Sequence, residues 1–409
     1  MLKKIKKVQK KISIGVRKKI RKAPHKKKSV RKVSTSRAKP KSKAKSKTQL
    51  VTRTTSLHKF GGNPIISPRE NNGWESKATF NPAAMYEAGK VHILYRAIGD
   101  NDISVVGYAS SVDGIHIDER LDEPAYIPAD LFDKAKTVFT SPANSGVYVS
   151  GGGWWGGAED PRITRIGDMV YMLYVAFNGW GPPRVALTSI TLDDFLNKRW
   201  KWKKAKLISQ PPEMLAKNPK FKDVVDKNAC LLPEKINGKY VVFHRIFPDI
   251  LVDFVDDLGF KNEYLKGEHK ISPRPGHWDS RKVGAGAPPL KTKDGWLLIY
   301  QAVGDKDAGR YKIGAIILDA ENPAKVLYRS NEPILEPIEW YENNGWKSGV
   351  VYPCGAVIIE EKLFIYYGGA DSVVCVATAN LDEFLEELKR TGRPKLKTER
   401  TSRAINVKN

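Results

Sequence analysis

Residues 91–97 read VHILYRA, and the phrase returns as VYMLYVA at 170–176, YVVFHRI at 240–246, WLLIYQA at 296–302 and LFIYYGG at 363–369. Each is a short run of β-branched and aromatic residues. Most follow a turn such as Ala-Gly-Lys, Ile-Gly-Asp, Asn-Gly-Lys or Lys-Asp-Gly. That is hairpin chemistry, because glycine and asparagine accept the left-handed backbone of a tight two-residue turn. Ahead of the runs stand FNPAAMY, EDPRITR, KNACLLP, GAPPLKT and YPCGAVI; after several come third strands, ISVVGYASS, PRVALTSI, YKIGAIILD and VVCVATAN. The first and last units match further: NNGWESKATFNPA at 71–83 is echoed by NNGWKSGVVYPCG at 343–355. Self-similar all-strand units of this size predict an all-β chain forming a five-bladed β-propeller. Two ordinary sandwiches would not generate five matched hairpins. The propeller is expected over residues 56–390, between a basic, disordered tail at 1–55 and a short polar tail at 391–409.

The formal charge of +25 suggests a nucleic-acid binder until it is partitioned. Residues 1–50 hold 22 of the 70 Lys and Arg and no acid, which leaves 48 basic against 45 acidic residues elsewhere. The body is nearly neutral, so the basicity belongs to the tail. Such a segment is too polar and self-repelling to fold alone. It reads as a solvated extension or as a polyanion-binding arm touching nucleic acid or an anionic membrane. Leu2, Ile5, Val8, Ile12, Val16 and Ile20 would line one side of a basic amphipathic helix, which favours the membrane version. The tail lacks the apolar stretch of a secretory signal, and no run of eighteen apolar residues occurs. Cys230, Cys354 and Cys375 stand apart in strand-like surroundings and read as buried thiols in a reducing compartment. The expected location is cytoplasmic. Seven scattered histidines offer no metal motif, so neither a metal nor an organic cofactor is expected, and the sequence carries no reading of oligomeric state.

In a propeller the elements ahead of the hairpins converge near the central channel. The expected ring is Asn81, Asp160, Lys227 with Asn228, Pro288 and Tyr352. Asp160 is the one carboxylate squarely inside such an element, with Glu159 beside it. Glycosyl transfer needs a proton donor at the departing oxygen and a nucleophile at the anomeric carbon, and hydrolases usually supply a carboxylate for each. No second acid is equally well placed. The repeats offer positive charge instead, at Arg96, Arg162, Arg184, Lys227, His244 and Arg245, which suits an anionic nucleophile such as phosphate. Structural alternatives stand beside these roles: surface ion pairs for Arg96 and Arg245, a satisfied core histidine for His244, and a brace of the Asp160 turn for Arg162. Trp74, Trp154, Trp155, Trp180 and Trp346 read equally as core or as sugar-stacking platforms.

GAEDPRIT, KNACLLPEKINGKYVVFHR, KVGAGAPPLKTKDGWLLIY and LFIYYGGAD, in this order over about residues 60–385, resemble the motifs of glycoside hydrolase family 130. That family comprises β-mannoside phosphorylases and related β-mannosidases on a five-bladed propeller. The resemblance implies that Asp160 is the catalytic acid, its proton reaching the glycosidic oxygen through the mannosyl 3-hydroxyl. Phosphate then attacks the opposite face to give α-mannose 1-phosphate. It further implies that Lys227 and His244 hold phosphate with help from Arg184. Asn81, Arg96 and Asp371 would line the sugar pocket, with Arg162 beside them. The implied partners are a β-mannoside oligosaccharide and inorganic phosphate as co-substrate. Burial and Glu159 are expected to raise the Asp160 pKa, and Arg162 to point away from its carboxyl. A hydrolase on the same scaffold and a sugar-binding propeller without turnover are the alternatives.

Overall fold

A computed structural model describes residues 57–129, 156–179, 181–210, 224–261, 263–392 and the backbone of 399–400. The chain divides into two units, Met1–Arg53 and Thr54–Asn409. The first, with the basic tail, lies outside the described residues, as do Trp154, Trp155 and Trp180 and most of the C-terminal tail.

The second unit is all-β. Strand β1 (His58–Lys59) precedes five antiparallel meanders. The first holds β2 (Ala78–Glu87), β3 (Lys90–Ile98), β4 (Ser104–Ser111) and β5 (Glu119–Arg120). The second holds β6 (Gly157–Ile166), β7 (Met169–Phe177), β8 (Arg184–Thr191) and β9 (Lys206–Leu207), with helix α1 (Leu192–Leu196) after β8. The third holds β10 (Asp226–Leu231), β11 (Tyr240–Ile246), β12 (Asp249–Val255) and β13 (His269–Ile271). The fourth holds β14 (Lys282–Ala285), β15 (Leu290–Thr292), β16 (Gly295–Val303), β17 (Lys312–Leu318) and β18 (Val326–Arg329). The fifth holds β19 (Val351–Ile359), β20 (Lys362–Gly369) and β21 (Val373–Asn380), followed by α2 (Leu381–Thr391). Its outer strand is β1, since His58 pairs with Thr378 and Lys59 with Ala377. All five expected hairpins are present. Two close on residues that are both left-handed, Ala88–Gly89 (φ 49° and 73°) and Asn237–Gly238 (φ 51° and 79°), the geometry that matches strand twist.

The strands are apolar on both faces, and each face is used. Ile93 packs toward the fifth meander with Phe364 and Val376, while Leu94 packs toward the second with Ile163 and Met172. Alternation along a strand therefore feeds two different cores. Further cores join the second and third meanders (Leu187 with Val242), the third and fourth (Phe243 with Leu298), and the fourth and fifth (Ile299 with Ile365). Five apolar interfaces thus follow one another in cyclic order.

A polar pin recurs inside the meanders. The hydroxyls of Tyr95, Tyr300 and Tyr367 donate to buried carboxylates of Glu75 (2.8 Å), Asp279 (2.8 Å) and Glu342 (3.0 Å). Each acid also meets a cation, Arg120, Arg329 or Lys59. Burying these carboxylates is tolerable only because they are paired and hydrogen-bonded. The three cysteines are buried free thiols, and burial pushes Cys230 up to about 12. No helix of the described residues is long and apolar enough to cross a membrane.

Candidate active site

Strands β2, β6 and β10 each break register at the same point, between Phe80 and Ala83, Glu159 and Arg162, and Lys227 and Cys230. Inside each bulge one residue is left-handed: Asn81 (φ 49°), Asp160 (φ 51°) and Asn228 (φ 57°). Asparagine and aspartate are the non-glycine residues that accept this region most readily. A bulge re-aims a side chain out of the strand's alternation. The repeat thereby gathers residues 79 positions apart: Asn81 Nδ2 donates to Asp160 Oδ1 at 2.7 Å. Gly368 makes room for this pair, because a Cβ there would lie 2.2 Å from Asn81 Oδ1.

Arg96 is 1% exposed and bridges the two acids, Nη1 to Asp160 Oδ1 at 3.3 Å and Nη2 to Glu159 Oε1 at 3.1 Å. Its Nε donates to Ser104 Oγ at 2.9 Å. The surface-ion-pair alternative for Arg96 is therefore replaced by a buried one. Arg162 sends its three nitrogens to backbone carbonyls of Gly286 (2.6 Å), Asp160 (2.9 Å) and Ala285 (3.3 Å). It braces the second meander against the fourth and, as expected, leaves the Asp160 carboxyl to other donors.

The charge state of Asp160 differs from the expectation. Burial does push its pKa up. The positive charges of Arg96 and Arg162, the Asn81 hydrogen bond and Lys227 outweigh burial and hold it below the ordinary carboxylate value. Among these protein groups Asp160 is ionised. Asp371, left-handed at φ 51°, shows the reverse balance. Burial raises it to about 6, Lys347 and Arg96 offset part of this, and Asp160 and Glu159 add to the rise.

Lys227 and Arg245 are direct cross-strand partners on β10 and β11. Like charges facing each other across strands are unfavourable. Burial and Arg245 lower the Lys227 pKa, while Glu159 and Asp160 support its charge. Arg245 Nε is buried without a hydrogen-bond partner. Nearby, Lys282 Nζ donates to the Tyr311 hydroxyl at 2.6 Å, and Lys347 lies 4.4 Å from the Tyr311 ring centroid. Burial would raise the Tyr311 pKa, but Lys282, Lys347 and Arg245 bring it below its ordinary value. Tyr311 packs on Tyr352 with ring centroids 5.8 Å apart, and Tyr352 accepts a hydrogen bond from Asn228.

His244 and Arg184, both expected at phosphate, also have partners within the protein. His244 is 1% exposed, with Nδ1 against Asp226 at 2.8 Å and Nε2 against Asp253 at 3.2 Å. Both ring nitrogens are committed, and they lie on the opposite face of the meander from Lys227 and Arg245. Although burial alone would lower its pKa, the two carboxylates lift it to about 10, so the ring is an imidazolium. His244 stands where other meanders carry tyrosine, and its bond to Asp226 is the counterpart of the tyrosine pins. The satisfied-core alternative describes its geometry. Arg184 opens β8 and donates from Nη2 to the Ser209 carbonyl at 2.9 Å, within the outer strands of its own meander. Lys282, Tyr311 and Lys347 were not legible as site residues. Lys282 and Tyr311 carry no local signal; they meet within the fourth meander, and Lys347 of the fifth and Arg245 of the third join them only when the meanders pack together.

A family model described as beta-1,4-mannooligosaccharide phosphorylase, glycoside hydrolase family 130, matches residues 53–390. The chain is 37% identical over 336 residues to a 1,2-beta-oligomannan phosphorylase of Thermoanaerobacter sp. (strain X514), covering 80% of this chain and 98% of that protein. It is also 37% identical to a beta-1,2-mannobiose phosphorylase of the same organism, covering 78% and 96%. Among solved structures, the beta-1,2-mannobiose phosphorylase of Listeria innocua in complex with beta-1,2-mannobiose superposes with a TM-score of 0.63 at 25% identity. That match covers 82% of this chain and 99% of the other.

Proposed function

The chain belongs to glycoside hydrolase family 130, and on that premise we propose that it is an inverting phosphorylase of β-1,2-linked mannosides. It transfers a mannosyl group to inorganic phosphate and releases α-mannose 1-phosphate. The β-1,2 linkage follows the relatives that match at 37% identity over nearly their whole length. The observation that carries the phosphate assignment is the cation cluster. Lys227, Arg245 and Lys282 have no ion-pair partner among the described residues, yet Lys227 and Arg245 face each other directly. A phosphate dianion between them removes the repulsion and supplies an acceptor for the buried Arg245 Nε. Tyr311, whose hydroxyl oxygen is taken by Lys282, keeps its own O–H for a phosphate oxygen. In this reading the phosphate cradle is Lys227, Arg245, Lys282 and Tyr311, and His244 and Arg184 support it from outside.

Asn81, Arg96 and Asp371 surround the mannosyl ring, and Asp160 is the acid. Its depressed pKa reflects the protein's own charges alone. Hydrogenphosphate on Lys227 brings negative charge beside Asp160 and offsets the cations, which favours the protonated carboxyl. The proton passes from Asp160 to the mannosyl 3-hydroxyl, whose own proton goes to the glycosidic oxygen. The C1–O bond breaks toward the departing sugar while a phosphate oxygen bonds C1 from the opposite face. The proton lost by hydrogenphosphate restores Asp160, so atoms and charge balance.

We read the five meanders as blades of a five-bladed propeller around this site. Supporting this are the cyclic order of the five apolar interfaces and the pairing of β1, from the start of the body, with the last meander. The body at 56–390 then serves as the catalytic domain, and residues 1–55 as an accessory polyanion-binding arm. The test is the Asp160→Asn variant, whose amide has no catalytic proton. Turnover of β-1,2-mannobiose with phosphate is expected to fall by roughly 10²–10⁴-fold with the melting temperature retained. Activity within tenfold of wild type would remove Asp160 from the role of acid.

A further inference from the structure

The first and last meanders begin with the same words, Asn-Asn-Gly-Trp, and then reverse their charge: the next residue is Glu75 in the first and Lys347 in the fifth. In the first meander that position belongs to the fold. Glu75 is buried, takes the Tyr95 hydroxyl at 2.8 Å and pairs with Arg120. In the fifth meander Glu342, upstream of the motif, performs the same duty. It takes the Tyr367 hydroxyl at 3.0 Å and pairs with Lys59 at 2.6 Å. The repeat-equivalent position is thereby released from the pin, and a cation occupies it.

Backbone bonds place that cation between the two halves of the site. The Lys347 N–H donates to the Ala370 carbonyl at 3.0 Å, and the Trp346 N–H donates to Ser372 Oγ at 3.0 Å. Both bonds hold the loop against the turn that carries Asp371. On its other side the loop meets the fourth meander, where the Tyr311 N–H donates to the Gly349 carbonyl at 2.9 Å. The Lys347 side chain follows this contact, with Nζ 4.4 Å from the Tyr311 ring centroid. Burial raises the pKa of Asp371 and of Tyr311, and the Lys347 charge opposes it at both. Burial lowers the pKa of Lys282, and the Lys347 charge adds to that. Among the described residues no carboxylate lies within ion-pair distance of the Lys347 ammonium. The face of a tyrosine ring attracts a cation, but it leaves an ammonium with donors to spare.

We propose that Lys347 is a further substrate-binding residue, which donates to the phosphate oxygens at the end of the cradle nearest the mannosyl ring. It would then hold both inorganic phosphate and the phosphate of α-mannose 1-phosphate, where the ester joins the two halves of the site. This rests on the phosphorylase reading above. A lysine suits the position, because its compact charge on a flexible stem can follow phosphate from free ion to ester. The test measures both directions of the reaction. Lys347→Met is expected to raise the KM of phosphate and the KM of α-mannose 1-phosphate by roughly tenfold each. The KM of acceptor mannose should stay within about twofold, and the variant should melt like wild type. Lys347→Arg, which keeps the charge, is expected to recover most of the loss, and its failure to do so would reduce Lys347 to a packing role. An unchanged phosphate KM, or an acceptor KM that rises as much as the other two, would overturn the assignment. Calorimetric binding of α-mannose 1-phosphate without acceptor separates this from the catalytic reading. Phosphate-independent cleavage by the wild type would sink the phosphorylase, whereas roughly tenfold weaker binding to Lys347→Met would still support the ligand. Equal binding by the two proteins, or none by the wild type, would refute it.

Discussion

Asp160 and Asp371 show how two buried carboxylates in one site acquire opposite charge states. Asp160 receives hydrogen bonds from Asn81 and Arg96 and stays ionised, while Asp371 is raised to about 6 by burial and by the neighbouring acids. The folded state therefore binds the Asp371 proton more tightly than the unfolded chain, and its ionisation costs stability as pH rises from about 4 through 6. Asp371→Asn is expected to stabilise the protein by about 1–3 kcal/mol at pH 8 and to give no gain at pH 4, read by chemical denaturation at both pH values. An equal effect at the two pH values would contradict the burial argument. Asp160 itself was legible, because Glu-Asp-Pro-Arg occupies a repeat-equivalent position. Its charge was not, because Arg96 and Asn81 come from a different meander, 64 and 79 residues away.

At the scale of elements, the bulges on β2, β6 and β10 and the pins beneath the strands divide the labour. The bulges aim Asn81, Asp160 and Asn228, and the pins fix the meanders that carry them. The Asp226–His244–Asp253 strap joins β10, β11 and β12, and Asp253 also accepts the backbone N–H groups of Lys266, Gly267 and Glu268. Because the folded His244 pKa is raised to about 10, its stabilisation is complete below about pH 6.5 and declines as pH rises toward 10. His244→Gln is expected to cost about 3–5 kcal/mol at pH 6 and to flatten the fall in stability between pH 6.5 and 10. Its phosphate KM should stay within about threefold of wild type, whereas Lys227→Met should raise the same constant by at least about tenfold. A His244 variant with the phosphate defect of Lys227→Met would return the imidazolium to the cradle. The hairpins were readable because period-two apolar runs and glycine turns are local signals. The strap was not, because the sequence records a histidine in a tyrosine position without recording the acid beneath it.

At the largest scale, the described residues of the second unit form five meanders, each sharing its two faces with its neighbours. That arrangement explains why the inner strands are almost continuously apolar, and why the five repeated phrases stand out in the sequence itself. The pairing of His58–Lys59 with the last meander was not foreseeable, since a two-residue strand carries no pattern. The family match begins at residue 53, and the charge of the remaining body is nearly balanced. Removing residues 1–55 is therefore expected to leave kcat and both KM values within about twofold and to abolish salt-dependent retention on a polyanion column. A large loss of kcat would tie the tail to catalysis. The most direct test of the account is a phosphorus NMR time course with β-1,2-mannobiose and inorganic phosphate, followed by proton NMR of the product. The account predicts that α-mannose 1-phosphate appears as phosphate is consumed and that no mannobiose is cleaved when phosphate is left out. Free mannose released at the same rate with and without phosphate would contradict it.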